Sequence, residues 1–177
     1  MFKKMLLAVA AVAIAFVTYV ALQPPQYLVV REATMAASPA AVFDQVNELK
    51  KWETWSPWAK LDPNAKSAYA GPSAGKDASH SWSGDDKVGE GKMTITESKP
   101  TGLIRIKLDI VRPYPGTSDA SFAFKPQGDK TLVTWSMAGE QGFVERAIFA
   151  VMGLSMDKMI GADFEKGLAS LKAQVRG

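Results

Sequence analysis

Hydrophobic positions along the chain follow three different periods, and each period predicts a different element. Met5 to Leu22 (MLLAVAAVAIAFVTYVAL) is 18 residues without a charge. A helix of that length reaches roughly 27 Å, close to the ~30 Å hydrocarbon core of a bilayer. Gln23, Pro24 and Pro25 end it, because proline lacks an N–H and restricts the residue before it, so residues 23–26 read as a short stiff linker. Tyr27 to Met35 is apolar and β-branched and predicts a strand. Ser38-Pro39 then has the form of an N-cap followed by proline at the first helical position. The helix expected from Ala40 to Val46 carries Val42, Phe43 and Val46 on one face, and a second short helical segment from Leu49 halts near Pro57.

Residues 59–78, rich in Asp, Pro, Gly, Ala and Ser, predict loops around one short strand. Five runs of period 2 follow, separated by Gly, Pro and Asp, which is the signature of an antiparallel meander. Their apolar faces are His80, Trp82 and Gly84; then Gly91, Met93, Ile95 and Glu97; then Ile104, Ile106, Leu108 and Ile110. Ala120, Phe122 and Phe124 form the fourth, and Val133, Trp135 and Met137 the fifth. Glu140 to Leu154 is a mixed segment that predicts a helical turn. From about Met156 to Val175 the spacing of Met156, Ile160, Phe164, Leu168, Leu171 and Val175 predicts a long helix with one apolar stripe. The order β, α, α, antiparallel strands, long helix is an α+β architecture with no parallel sheet or internal repeat.

Composition narrows the chemistry. The 177 residues include no cysteine and one histidine, His80, so disulfides, thiolate sites and multi-histidine metal sites are excluded. No metal ligand set or cofactor motif stands in the sequence. GDDKVGEG at 84–91 lacks the Lys-Ser/Thr ending and the strand-to-helix switch of a phosphate loop, and reads as a hairpin turn. Lys3 and Lys4 account for two of the 21 basic residues, leaving 19 against 18 acidic ones. A near-neutral domain has no electrostatic footprint for nucleic acid.

Residues 1–22 are read as a transmembrane anchor. Lys3 and Lys4 precede the apolar run and no Lys or Arg follows before Arg31. The positive-inside bias therefore sets the N-terminus in the cytoplasm and residues 27–177 outside, in the periplasm of a bacterial cell. A cleaved signal peptide shares these features and stands as the alternative: a cut after Ala21 places Tyr19 at −3, which is poor, and a cut after Ala15 has Ala13 and Ala15 in place but leaves a short apolar run.

Several motifs, in order, carry a family resemblance: Ser38-Pro39-Ala40-Ala41-Val42-Phe43, WETWSPW at 52–58, Leu61-Asp62-Pro63, Trp82-Ser83-Gly84, Gly89-Glu90-Gly91-Lys92-Met93, Thr134-Trp135-Ser136-Met137, and residues 161–168. With them the chain resembles the SRPBCC (START-like) superfamily and, within it, polyketide cyclase/dehydrase-like proteins. The resemblance implies a helix-grip fold, a curved sheet of six to seven strands around a long C-terminal helix. It also implies a cavity between them that takes an apolar small molecule or lipid. In that geometry Trp82, Met93, Ile95, Phe122, Phe124, Trp135, Met137, Met156, Ile160 and Phe164 line the cavity, although a solid core would use the same residues.

Three further groups invite a function. Trp52, Trp55 and Trp58 form an i, i+3, i+6 stripe, readable as core packing, a cavity lid or a membrane-interface contact. Arg112, in the rigid Arg112-Pro113-Tyr114-Pro115 connection, is a candidate for an acidic head group at the cavity mouth. His80 and Glu97 share the parity of apolar neighbours, so both are expected to point inward as a weak general acid–base pair. No nucleophile elbow accompanies them. The expected function is thus a membrane-anchored, non-catalytic binding module for an apolar small molecule or lipid. A cyclase- or dehydratase-like enzyme in the same cavity, and a protein-interaction module with a filled interior, stand as alternatives.

Overall fold

The computed structural model describes residues 1–175. Helix α1 (Phe2–Leu22) is followed by strand β1 (Gln26–Met35). Helix α2 (Pro39–Asn47), a 3-10 turn (Leu49–Lys51) and the short helix α3 (Trp52–Trp55) come next. Six strands follow: β2 (Lys66–Ala70), β3 (Ser79–Ser83), β4 (Glu90–Lys99), β5 (Leu103–Arg112), β6 (Gly116–Gln127) and β7 (Lys130–Glu140). Helices α4 (Phe143–Met152) and α5 (Met156–Gln174) complete the described chain. The strands form one antiparallel sheet in the order β1-β7-β6-β5-β4-β3-β2, so a meander closes by pairing its last strand with the first. This is the α+β, helix-grip architecture.

Local chemistry sets the boundaries. The Ser38 side chain accepts from the Ala41 N–H with Pro39 in the first turn, and Ser155 caps α5 in the same way from Lys158. Gly89 has φ +64°, and its Cα lies so close to the Arg112 carbonyl that no Cβ fits there, which fixes a glycine at the start of β4. Along α5, Gly167 stands against the Trp135 ring, where a Cβ would come within 2.8 Å, so the helix can lie directly on the sheet.

Two expectations need correction. The mixed segment 140–154 is not a single turn: Phe143–Met152 is a ten-residue helix ended by Gly153 in the left-handed conformation. On β4 the strict alternation fails at Thr96. Ile95 pairs with Ile106 but Glu97 pairs with Arg105, so one extra residue bulges out and every side chain beyond it changes face. Ser98 therefore points inward, where its hydroxyl meets the Asn47 side chain at 2.7 Å, and Glu97 points out.

The inner face of the sheet carries the core. Val42, Phe43 and Val46 of α2 and Phe164, Leu168 and Leu171 of α5 close on Ile95, Ile104, Phe122, Phe124 and Val133, all buried. The outer face is mainly polar, with Lys107, Asp109, Ser121, Ser136 and the Glu32–Thr134 pair beside the exposed Leu28, Val30 and Val111.

Candidate functional site

The inner face is not filled along its whole length. Between the sheet, α3 and the first half of α5 lies a cavity of about 380 Å³, within the size range of small-molecule sites. Each strand crosses from packed core into cavity at a definite residue: Ile95 is packed and Met93 lines the space, Ile104 is packed and Ile106, Leu108 and Ile110 line it. Phe122 gives way to Ala120, and Val133 to Trp135 and Met137. A row of rings marks the boundary. Trp135 stacks on Phe164 of α5 at 3.9 Å and on Phe122 at 4.8 Å, and Trp58 meets Trp135 edge-on at 5.9 Å.

Seven of the ten expected lining residues stand on the cavity: Trp82, Met93, Trp135, Met137, Met156, Ile160 and Phe164. Ile95, Phe122 and Phe124 do not; they share the inward parity but lie one or two residue pairs deeper, where α2 and α5 cover the sheet. The tryptophan stripe divides likewise. Trp52 and Trp58 line the cavity, whereas Trp55 is 1% exposed and belongs to the core. Trp52 and Trp55 donate their indole N–H groups to the Val46 and Gln45 carbonyls at 2.9 and 3.2 Å. Both are thereby held inward, so neither presents a ring to a membrane surface.

The polar candidates separate. Glu97 lies on the opposite face from His80, paired with Lys99 at 2.7 Å and Arg105 at 3.0 Å, and these cations hold its carboxyl below the usual range. The expected His80–Glu97 pair is therefore absent. Arg112 is absorbed by Glu90 at 3.2 Å and the Gly84 carbonyl, away from the cavity; the cation at the rim is the exposed Lys87.

His80 does line the cavity. Its Nε2 is 3.0 Å from the Ser67 hydroxyl, its ring stacks on Tyr69 at 4.5 Å, and its Nδ1 is buried without a partner. Burial pushes the imidazole pKa down, so the ring is neutral at pH 7. Tyr69 donates to Glu53 at 2.8 Å, and burial together with that carboxylate raises the phenol pKa. Glu53, Ser67, Tyr69 and His80 thus make a polar rim on one side of a mainly apolar space, which Ser56, Asp62 and Lys87 also border. At the other end the Tyr27 hydroxyl meets Ser118 at 2.7 Å. Tyr27, Glu53, Tyr69, Leu108, Ile110 and Ser118 were not singled out as site residues. The alternation in β5 contained the signal for Leu108 and Ile110, whereas Tyr69 sits in a stretch whose composition reads as loop.

Among the described residues, no group of three or more potential metal ligands converges. What the arrangement offers is an apolar container with hydrogen-bonding groups at its edge.

A seven-stranded antiparallel sheet gripping a long helix over such a hollow defines an SRPBCC domain, a class built around an internal ligand cavity. The chain belongs to the polyketide cyclase/dehydrase and lipid transport family, matching it over residues 27–176. It is similar in structure to a Helicobacter pylori hypothetical protein (TM-score 0.63, 11% identity, covering 85% of this chain and 88% of that one). It is also similar to a Chromobacterium violaceum protein (TM-score 0.61, 12% identity, 85% and 97%). An Aha1 dimer from Colwellia psychrerythraea has the same fold (TM-score 0.58, 14% identity, 85% and 99%). At these identities the likeness establishes the fold. The sequence matches no curated protein.

Proposed function

We propose that the protein is a membrane-anchored carrier that holds a mainly apolar small molecule or lipid between the sheet and α5. The observation that carries this reading is the lining itself: Met93, Leu108, Ile110, Met137, Met156 and Ile160 surround the space. Flexible thioethers and aliphatic chains suit an apolar guest of adaptable shape. Affinity comes from apolar surface removed from water, at about 25 cal/mol per Å², less the cost of immobilising the guest. The polar rim of Glu53, Ser67, Tyr69 and His80 suits one hydrogen-bonding group on the ligand. Helix α1 supports the anchor: Phe2–Leu22 is long and apolar enough to cross a membrane, and Val20 alone of its residues is buried. With Lys3 and Lys4 at its start, the N-terminus is cytoplasmic and the domain lies on the far side.

Native mass spectrometry of the detergent-extracted full chain, before and after organic extraction, tests the proposal. A co-purifying lipid-sized adduct is expected in the wild type and not in Ala120→Phe, whose ring occupies the cavity. An adduct of equal occupancy in both proteins, or none in either across several lipid extracts, contradicts it.

A second reading has one observation in its favour. His80 and Ser67 are within hydrogen-bond distance at the cavity, as a proton-moving enzyme of the cyclase or dehydratase type requires. Binding that is unchanged in His80→Phe, with no turnover lost, counts against it.

A further inference from the structure

Helix α4 is amphipathic in an inverted sense. Phe143, Val144, Ala147, Ile148, Val151 and Met152 fall on one side of the helix, at i, i+1, i+4, i+5, i+8 and i+9. That side faces away from the protein: Val144 is 70%, Val151 74% and Met152 63% exposed. The opposite side holds Phe149, which is buried, and Arg146. An exposed apolar stripe of two and a half turns is costly in water and marks an interaction surface.

The position of α4 says what covers it. The helix packs against the end of α1, where Val20 is fully buried and Arg146 donates from Nη1 to the carbonyls of Val20 (3.0 Å) and Gln23. The Gln141 N–H, just before α4, bonds the Pro25 carbonyl at 2.8 Å. The exposed stripe is therefore held beside the point at which α1 ends, and α1 itself exposes apolar side chains from Met5 to Leu22. If α1 spans the bilayer, its end at Leu22 is the level of the lipid head groups, and α4 is fixed at that level. Arg146 is held in no ion pair among the described residues; its Nη1 is taken by the α1 carbonyls and its Nε is buried, so the side chain fastens α4 to the end of α1.

We infer that α4 lies in the membrane interface, with Phe143, Val144, Ile148, Val151 and Met152 among the lipid chains and Arg146 on the opposite side tying the helix to the end of α1. An amphipathic helix lying in the interface sinks its apolar face about 5–10 Å into the head-group boundary. The inference rests on the reading of α1 as a retained anchor. It also orients the cavity. Tyr27 and Met156, which line one end, lie just beyond Leu22 and Met152 along the chain, so that end is the one nearest the membrane. Guest molecules would be exchanged with the adjoining leaflet.

The chain contains no cysteine, so single-cysteine variants of the full protein can each carry one environment-sensitive fluorophore. Val144→Cys and Val151→Cys report on α4, Val12→Cys on the middle of α1, and Asp129→Cys on the β6–β7 turn. That turn lies roughly 33 Å along β7 from the membrane end, at about 3.3 Å per residue. In phosphatidylcholine vesicles with a minor share of phosphatidylglycerol, nitroxide lipids labelled near the head group should quench positions 144 and 151 several-fold more than position 129. Lipids labelled at the chain end should quench position 12. If position 12 is deep while 144 and 151 are as water-accessible as 129, the inference falls and the anchor stands. If position 12 is also aqueous, anchor and inference fall together. If 144 and 151 are shielded from iodide yet unquenched by shallow nitroxides, and the chain crosslinks to itself through them, α4 is an interface between two copies and the inference is wrong.

Discussion

The two halves of the sheet's inner face are built from the same strands with the same alternation, yet one is solid and the other hollow. On β6, Phe122 is fully buried, stacked on Trp135 and edge-on to Trp52 and Trp55, while Ala120, two residues earlier, borders empty space. On β5 the same boundary falls between Ile104 and Ile106. The difference lies above the strands: α2, Trp55 and the second half of α5 cover the solid half, whereas Trp52 and Glu53, the loop from Ser56 to Ala65 and the first turns of α5 roof the other. Side-chain period decides which face a residue takes; the length and placement of the covering helices decide whether that face is filled.

The largest expected effect comes from the solid half. Phe122→Ala should cost about 3–5 kcal/mol in denaturant unfolding of the detergent-solubilised protein, because the removed ring leaves a void that neighbouring rings cannot close. Ala120→Phe, on the same strand and face, should change stability by less than about 1.5 kcal/mol, since it grows into existing space, and should abolish retention of an apolar guest. Equal losses for the two would erase the distinction between the halves.

A smaller effect concerns His80 at the rim. Burial lowers its folded-state pKa below the ordinary 6.5, so between these two values the unfolded chain binds more protons. Stability is then complete above pH 6.5 and falls as pH drops below it through the folded value. His80→Phe should flatten that part of the pH–stability profile; an unchanged slope would show that the ring titrates normally.

The smallest effect concerns how α5 is fastened over the hollow half. Arg31 of β1 reaches Asp157 at 2.8 Å and Glu165 at 2.7 Å, straddling Gly161, whose missing side chain makes room for the guanidinium. Arg31 holds the Asp157 carboxyl below its ordinary 3.8. The link therefore persists above that pH and is lost as pH falls through the lower folded value. Asp157→Asn should speed amide exchange in the first turns of α5 near neutral pH, with little change in global unfolding, as expected of an exposed ion pair. Unaltered exchange would mean that packing alone seats the helix.

These halves also show what the sequence could and could not convey. The strands, the Ser38 cap and the long helix follow from local rules, because Ser38-Pro39, the period-2 runs and the apolar stripe of α5 act within a few residues. So does the motif series, from Ser38-Pro39 through WETWSPW to residues 161–168, by which the family was legible. Depth was not legible: Phe124 and Met137 alternate identically, and only the tertiary path of α2 and α5 separates core from lining. Glu97 was misplaced because a bulge at Thr96 inverts parity without any glycine or proline to announce it. Arg112 was misassigned because Glu90, its partner, is 22 residues away along the chain and adjacent across β4 and β5. Helix α4 was shortened to a turn because its apolar side faces outward, against the pattern of a helix packed on a core.

Methionine placement gives the most direct test of the hollow. Met93, Met137 and Met156 line it, while Met35 is fully buried in the solid core. With ¹³C-methyl-labelled methionine in the detergent-solubilised full chain, a stearate carrying a nitroxide near its methyl end should broaden the Met93, Met137 and Met156 signals and leave Met35 sharp. Broadening confined to Met1, Met5, Met152 and Met159, with the three cavity methyls as sharp as Met35, would show that no apolar guest enters between sheet and helix.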